Sequence, residues 1–336
     1  MKKSLVAAAL AALGASASLP AAADEVSLVL ATALAPNNVM AMQILHPWAQ
    51  RVNEAGKGTL AIDVRDGMSI ANLRNSYDRV VSDVAQLSWL THNNFPGAFN
   101  LSLVGGLPYL ADNSEIGSVA MWRLYKSGVL DAEYTQVLPI SMAVLSKGGL
   151  HLRKAPVSLD QLKGLKVIVS SRASGEVVTR IGMAPIAMPV TDTYEALQRG
   201  TVDGVALGWT AVESFKLDEL TTYHANASFG TSSGMLFINK KRYEALPAAA
   251  RKVIDDHTGE AESRVLGRFW DRLDKVGEDR VKAIAGHSVV ELPPDIQAKW
   301  ARFAEPVAEE WAKSVPGGEK VLAAFRAELQ KVKAGM

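Results

Sequence analysis

The fold is decided by residues 166–207, which read KVIVSSRASGEVVTRIGMAPIAMPVTDTYEALQRGTVDGVAL. Three short apolar segments, residues 166–169, 185–188 and 202–207, are predicted strands. Two helical segments, 173–181 and 191–199, separate them, and each is followed by a glycine, Gly182 or Gly200. Strands that alternate with helices of about ten residues indicate parallel β-α-β units with helices on both faces of a sheet. The sequence therefore predicts an α/β fold.

The same alternation extends to both sides of this stretch. Upstream, residues 26–30, 60–64, 86–90 and 137–145 are predicted strands, and Pro47 is expected to kink the first helix or to start a second one. Downstream, residues 235–239 form one more strand. Charged amphipathic helices follow at residues 247–258, 260–285, 295–314 and 318–333. Because no long linker or internal repeat interrupts the chain, two lobes would require the chain to cross between them more than once.

Composition excludes several classes of protein. The chain has 336 residues with 36 basic and 35 acidic side chains, so no basic excess favours nucleic acid. It has no cysteine, which excludes disulfides, thiol nucleophiles and cysteine-ligated metals. Its six histidines are scattered along the chain without metal-ligand spacing. We therefore expect neither a metal nor a cofactor.

The N-terminus has the pattern of a secretory signal. Two lysines precede an apolar, alanine-rich segment, and small residues at 21–23 precede Asp24. The apolar run is too short to span a bilayer, which needs about 20 residues. Residues 1–23 are thus predicted to be a cleaved signal peptide, and the protein is expected in the periplasm. Loss of Lys2 and Lys3 would leave 34 basic and 35 acidic residues.

Candidate ligand-binding residues follow from the strand order. In doubly wound sheets, ligands bind outside the carboxyl ends of the strands. The positions at or just past such ends are Ser88, Trp89, Ser170, Ser171, Arg172, Trp209, Thr210, Ser232 and Ser233. Each tryptophan is equally compatible with a pocket wall and with a buried core position.

The segment from Ser170 to Ser174 carries the clearest chemistry. Hydroxyl groups, the Arg172 guanidinium and the N–H groups of a helix N-terminus converge there, as an anion requires. The alternative is that Ser171 or Ser174 caps the helix while Arg172 makes a surface ion pair.

A catalytic alternative rests on residues 230–234, which match GxSxG. Ser232 would be the nucleophile of a secreted hydrolase, with Asp255 and either His257 or His287 completing a triad. A nucleophile elbow requires a strand before the serine and a helix after it. Here a predicted strand follows, which favours a glycine-rich connector.

Residues 158–215 resemble the DctP-type solute-binding proteins of tripartite ATP-independent periplasmic (TRAP) transporters. The resemblance is carried by DQLKGLKV at 160–167, Met188-Pro189, YEALQRG at 194–200, VDG at 202–204 and Phe215-Lys216. Further matches occur at Asp66-Gly67, LPYL at 107–110, Asn239-Lys240 and Leu246-Pro247, so the resemblance extends over essentially the whole mature chain.

The resemblance implies a two-lobed, hinged, type II-like periplasmic binding protein with a long helix between the lobes. It implies that the protein captures a small organic acid and delivers it to a small and a large membrane subunit, DctQ-like and DctM-like, driven by a sodium gradient. In that family an arginine on the strand after the LKGLK motif clamps the ligand carboxylate. Ile168 occupies that position here, and Gly149 occupies the position of a second arginine used by some relatives.

Because an isoleucine cannot pair with a carboxylate, we expect Arg172 with Ser170 and Ser171 to hold the anionic end of the ligand. Trp89 and Trp209 would then pack an aromatic or otherwise apolar monocarboxylate. Alternatives are an uncharged ligand and a binding protein that presents its ligand to a membrane sensor. We expect a monomeric, non-enzymatic protein whose first lobe comprises residues 24–147 and 235–275, and whose second lobe comprises 148–234 and 276–336.

Overall fold

The computed structural model describes residues 25–336, without the side chain of Leu159. The predicted signal peptide, residues 1–23, lies outside the described residues. The strands are β1 (Val26–Ala31), β2 (Leu60–Arg65), β3 (Leu87–Thr91), β4 (Val137–Val144), β5 (Gly149–Leu152), β6 (Lys166–Val169), β7 (Ala184–Ile186), β8 (Gly204–Leu207), β9 (Tyr223–Asn226), β10 (Ser233–Asn239) and β11 (Ser288–Glu291).

The α-helices alternate with these strands and then dominate the C-terminal part. They are α1 (His46–Ala55), α2 (Ser76–Val81), α3 (Ser114–Lys126), α4 (Arg172–Ile181), α5 (Thr193–Gln198), α6 (Trp209–Ser214), α7 (Lys240–Glu244), α8 (Ala248–Asp256), α9 (Glu260–Lys282), α10 (Pro294–Ser314) and α11 (Gly318–Lys333). A π-helical turn, Ala41–Leu45, runs directly into α1 next to Pro47, so the predicted irregularity of the first helix is confirmed.

The strands form two separate sheets, one in each lobe. The first lobe has the order β2-β1-β3-β10-β4 and the second has the order β11-β9-β5-β8-β6-β7. Both sheets combine parallel and antiparallel pairs, whereas the strand-helix alternation predicts parallel pairing. The difference arises where the chain crosses between lobes without a helix, because β5 and β10 enter their sheets directly from the other lobe.

Two of these crossings form a paired linker. Residues 145–148 connect β4 to β5, and residues 227–232 connect β9 to β10. Leu145 N–H donates to the Ser232 carbonyl (2.9 Å), and Phe229 N–H donates to the Gly148 carbonyl (3.1 Å). The two linkers thus support each other and form the hinge that the family resemblance implies.

The long helix α9 spans both lobes. Leu266 and Phe269 pack into the core of the first lobe, whereas Val281 packs into a core cluster of the second. Such a helix was expected at 260–285, and it ends at Lys282.

The C-terminal helices correct the expected lobe boundary. The N-terminal part of α10 contributes Trp300 and Val307 to the second lobe. In contrast, α11 packs on α3, and its buried Phe325 belongs to the core of the first lobe. Residues 276–336 therefore do not all belong to the second lobe, because the apolar face of α11 is buried against the first. Within residues 25–336, no helix is both long and apolar enough to cross a membrane.

Candidate ligand-binding site between the lobes

A cavity of about 430 Å³ lies where both lobes, the hinge and α10 meet. Its wall in the first lobe comes from the segment after β3 and from the 3₁₀ turn Ser102–Gly106 and its neighbours. The second lobe contributes the end of β6 and the start of α4, and the hinge contributes Thr231, Ser232 and Ser233. The C-terminal end of α10 closes the remaining side with Trp311 and Ser314.

The first-lobe wall is largely apolar and rigid. Phe95, Phe99, Leu103 and Leu107 face the cavity. Phe99 is fully buried, and its ring packs edge-on against Tyr77 with centroids 5.2 Å apart. Aromatic rings held in this way by neighbouring rings present a fixed surface to an apolar ligand.

A buried hydrogen-bond chain fixes the polar corner of this wall. The Ser233 hydroxyl donates to the Ser102 carbonyl (2.7 Å), so its oxygen is free to accept from His92 Nδ1 (2.8 Å). His92 Nε2 then accepts from the Tyr134 hydroxyl (3.2 Å). Burial lowers the pKa of His92 to about 3, so the imidazole is neutral at physiological pH. His92 therefore holds the start of the loop after β3 in place without carrying charge.

The hinge contributes a second polar group. The Ser232 hydroxyl donates to Asn93 Oδ1 (2.5 Å), which ties the second linker to the loop after β3. Asn93 and Ser232 both line the cavity. Two hydrogen-bonding side chains therefore border the apolar wall.

The second-lobe wall is the N-terminus of α4. Ser171 has an extended backbone and accepts the Ser174 N–H (3.1 Å), so it caps the helix. Arg172 Nε donates to Glu176 Oε1 one turn later (3.0 Å), and 93% of the Arg172 side chain is exposed. Both features of the alternative interpretation are thus present. The same Ser170, Ser171 and Arg172 nevertheless line the cavity.

Three of the candidate residues lie in the cores and not at this cavity. Ile168 is fully buried in a second-lobe cluster with Val205. Trp89 is buried on the sheet face opposite the cavity phenylalanines, because successive residues of β3 point to opposite faces. The Ser88 hydroxyl is buried and donates to the Ala31 carbonyl (2.6 Å).

Trp209 and Thr210 also lie away from the cavity. Trp209 starts α6 and is buried, with its indole Nε1 donating to Asn226 Oδ1 (3.0 Å). Thr210 and Ser146 share a hydrogen bond between their hydroxyls (2.8 Å) at the hinge. The tryptophan pair proposed as a ligand wall is therefore not assembled in the described arrangement.

The hydrolase triad is not assembled either. Ser232 is bonded to Asn93 and is followed by strand β10, not by a helix. Asp255 accepts from the Tyr243 hydroxyl (2.5 Å), and His257 Nδ1 contacts the Val253 carbonyl (2.8 Å). His287 stacks on His224 in the second lobe. The GxSxG match is therefore a connector between the lobes.

Sequence reasoning did not identify most of the cavity wall. The loop after β3 carries Asn93-Asn94 and Pro96-Gly97, a pattern typical of a polar turn, yet it supplies His92, Asn93, Phe95 and Phe99 to the wall. Its position at the carboxyl end of β3 was a usable signal. Trp311 offered no such signal, because its contact with the cavity depends on how α10 docks between the lobes.

Among the described residues, no group of three or more His, Cys, Asp or Glu side chains is arranged to hold a metal ion. The described cavity wall combines an apolar side, neutral polar groups and one exposed cation, Arg172.

Several proteins are similar to this chain over nearly its full length. The outer membrane transporter protein TsaT of Comamonas testosteroni is 28% identical over 327 residues, which cover 93% of this chain and 95% of TsaT. A crystal structure of a TRAP solute binding protein from Rhodoferax ferrireducens, in complex with copurified benzoate, superposes with a TM-score of 0.81. It is 26% identical, and the match covers 93% of this chain and 100% of that one.

A marine metagenome TRAP solute binding protein, described as specific for aromatic acid ligands and crystallised with 3-hydroxybenzoate, has the same fold. Its TM-score is 0.82 at 23% identity, with 92% of this chain and 99% of that chain covered. The family model described as bacterial extracellular solute-binding protein, family 7 (DctP), matches residues 30–314. The two lobes, the hinge between them and this match lead to one conclusion: the chain belongs to the DctP family of TRAP periplasmic solute-binding proteins.

Proposed function

We propose that the interlobe cavity binds an aromatic monocarboxylate. The observation that carries this proposal is the composition of the cavity wall, in which Phe95, Phe99, Leu103 and Leu107 form one apolar side. A volume of about 430 Å³ is within the range of small-ligand sites, roughly 300 to 1,000 Å³. A single aromatic ring matches both the size and the rigidity of that wall.

The charge of the wall favours one carboxylate. Among the residues that the structure describes, Arg172 is the one cationic side chain lining the cavity. It lies beside the Ser170 and Ser171 hydroxyls and the first turn of α4, whose N–H groups lack intrahelical partners. A second carboxylate would have to lie against the apolar wall, where an unpaired charge is strongly disfavoured.

The solved relatives support this assignment. The Rhodoferax ferrireducens protein, which is 26% identical, was crystallised with copurified benzoate. Benzoate has the ring and the single carboxylate that the present cavity fits.

Native mass spectrometry of the purified protein, followed by a melting series, tests the proposal. Benzoate, benzamide and succinate differ in charge and shape, so they separate the alternatives. A ligand at about 100 times its Kd should raise the free energy of unfolding by about 2.7 kcal/mol, or a few degrees in Tm. We expect the shift with benzoate. A shift with succinate alone would contradict the aromatic ligand, and an equal shift with benzamide would favour an uncharged ligand.

We also propose that the chain is exported by cleavage after residue 23, acts as a monomer and delivers its solute to small and large TRAP membrane subunits. The family is extracytoplasmic, which supports this role. Deleting the gene should abolish sodium-dependent uptake of labelled benzoate by the source bacterium. Unchanged uptake combined with a lost transcriptional response to benzoate would instead support delivery to a membrane sensor.

A further inference from the structure

A buried carboxyl group lies at the point where the long helix passes from one lobe to the other. Asp274 follows the first-lobe part of α9, which contains Leu266 and Phe269, and precedes the second-lobe part at Val281. Three residues later, Gly277 lies against Trp209 of the second lobe, and a Cβ atom there would be 3.3 Å from Trp209 Cβ. Asp274 is therefore at the pivot of α9.

Its surroundings come from the first linker of the hinge and from α6 of the second lobe. The Ser146 side chain, in the linker between β4 and β5, and the Thr210 backbone, in α6 of the second lobe, lie near the Asp274 carboxyl and favour its ionised form. Ser146 and Thr210 are themselves bonded through their hydroxyls (2.8 Å). Asp274 Oδ1 is buried and has no hydrogen-bond partner in the described residues. A movement of the lobes that shifts α9 against α6 would change this environment, because the first part of α9 packs in the first lobe and Thr210 belongs to the second.

The charged groups around Asp274 do not neutralise it. Asp271, one turn earlier on α9, repels its negative charge, and Lys147 of the linker attracts it. Asp271 is itself held by the N–H groups of Ser114 and Glu115 (2.7 and 2.9 Å). On the α6 side, Glu213 is near Arg280 of α9 (3.9 Å).

Burial outweighs the favourable contacts of this carboxyl. The pKa of Asp274 is raised to about 7. Burial is the largest cause of this rise, and the negative charge of Asp271 contributes to it. A carboxyl group that hinge motion exposes to water would return toward its usual pKa of about 4.

We infer that Asp274 couples the movement of the lobes to the binding of a proton. The described arrangement shields the carboxyl from water and therefore favours its protonated form. An arrangement that separates α9 from Ser146 and Thr210 favours the carboxylate. Because both lobes line the cavity in the described arrangement, a lower pH favours retention of the solute between them; this consequence rests on the proposed function.

The size of the effect follows from linkage. If the exposed carboxyl titrates well below the experimental range, the ratio of the described to the opened arrangement should rise about tenfold between pH 8 and pH 6. An asparagine at this position cannot ionise, so the ratio should then be independent of pH.

Single-molecule FRET in the absence of any solute tests the inference. Because the chain has no cysteine, Glu54→Cys on α1 and Gln198→Cys on α5 allow one dye on each lobe. We expect the population with the described interlobe distance to grow as the pH falls below about 7. In Asp274→Asn the populations should not change with pH. Asp279→Asn, an exposed position on the same helix, is the matched control and should behave like the parent protein.

Ser146→Ala provides a directional check that does not depend on the Asn variant. Removing the Ser146 hydroxyl, which favours the carboxylate, should let the pH dependence begin at a higher pH. A pH-independent parent protein, or the same pH dependence in Asp274→Asn, would overturn the inference. A carbon-13 titration of the Asp274 carboxyl with a midpoint near 4 would do so as well. Since no solute is present, failure of benzoate to bind would contradict the proposed function alone.

Discussion

Arg172 stands at the edge of the cavity with nearly all of its side chain in water, paired to Glu176 on the same helix. An exposed i,i+4 ion pair of this kind contributes little to stability. The proposed function requires the guanidinium to exchange Glu176 for a ligand carboxylate, and little stability would be lost in that exchange.

Replacing Arg172 by alanine is expected to weaken benzoate binding without destabilising the fold. Loss of a hydrogen bond to a charged group should cost about 1.5 to 3 kcal/mol, or roughly 10-fold to 100-fold in Kd. Isothermal titration calorimetry measures the change. Arg199→Ala is the matched control, since Arg199 makes an equivalent exposed pair with Glu195 on α5 of the same lobe. Equal affinities for the two variants would remove Arg172 from the site.

Single residues show where reasoning from sequence stops. Ser170, Ser171 and Arg172 were identified because the end of a strand and the start of a helix are readable from sequence. The sequence does not indicate on which side of the sheet Trp89 and Trp209 lie. A residue at a strand end or at a helix start can face either side. Ile168 occupies the position at which the family resemblance implies an arginine, yet its side chain lies in a hydrophobic core.

At the scale of elements, α9 and α3 approach each other closely at Gly267. A Cβ atom at this position would lie 2.5 Å from Glu115 Cα and 2.6 Å from the Ser114 carbonyl oxygen. The absence of a side chain thus lets the N-terminus of α3 sit directly on α9. There Asp271 can accept its first N–H groups.

Gly267→Ala should therefore destabilise the protein by about 1 to 3 kcal/mol, the usual cost of overpacking a close contact. The direction of the change in stability is informative, because a glycine-to-alanine replacement in an exposed helix interior stabilises a protein by up to about 1 kcal/mol. Urea unfolding measures the difference, and Val276→Ala on the exposed face of α9 is the control with little expected effect. A more stable Gly267→Ala protein would mean that the helices can separate without loss.

The existence of these helices was predictable, whereas their partners were not. The apolar periodicity of α9 and α11 gave their bounds to within a few residues. Nothing in the pattern of α11 says that its Phe325 packs on α3 of the first lobe, since an apolar face fits either core. Contacts of this kind depend on where the connecting loop leads.

For the whole molecule, the repeated crossings of the chain explain both successes and failures of the prediction. Alternating strands and helices indicated the α/β class, whereas the two lobes followed from the family resemblance. The antiparallel strands were not anticipated, because β5 and β10 pair according to the direction in which the hinge delivers them. The cavity likewise depends on all crossings together, since its wall combines both lobes, the hinge and α10.

Buried neutral histidines in both lobes should make the molecule sensitive to acid. Burial lowers the pKa of His92 and His151 to about 3 and that of His224 to about 4. Unfolding restores a pKa near 6.5. Below that value the unfolded chain binds protons that the folded protein does not, so these groups lower stability as the pH falls from about 6.5 toward 4. Asp274 acts in the opposite direction. Its pKa is raised in the folded protein, so this group adds stability as the pH falls.

His92→Gln isolates one of these contributions from the opposing one. Between pH 7 and pH 5, His92 should lower the free energy of unfolding of the parent protein by about 2 kcal/mol. The variant lacks the imidazole and should not show this loss. The difference in unfolding free energy between parent and variant should therefore shrink by that amount from pH 7 to pH 5 in urea titrations. Tyr134→Phe, which removes the hydroxyl bonded to His92 but leaves the imidazole, should differ from the parent equally at both pH values. A constant difference for His92→Gln would show that His92 accepts a proton in the folded protein as readily as in the unfolded chain.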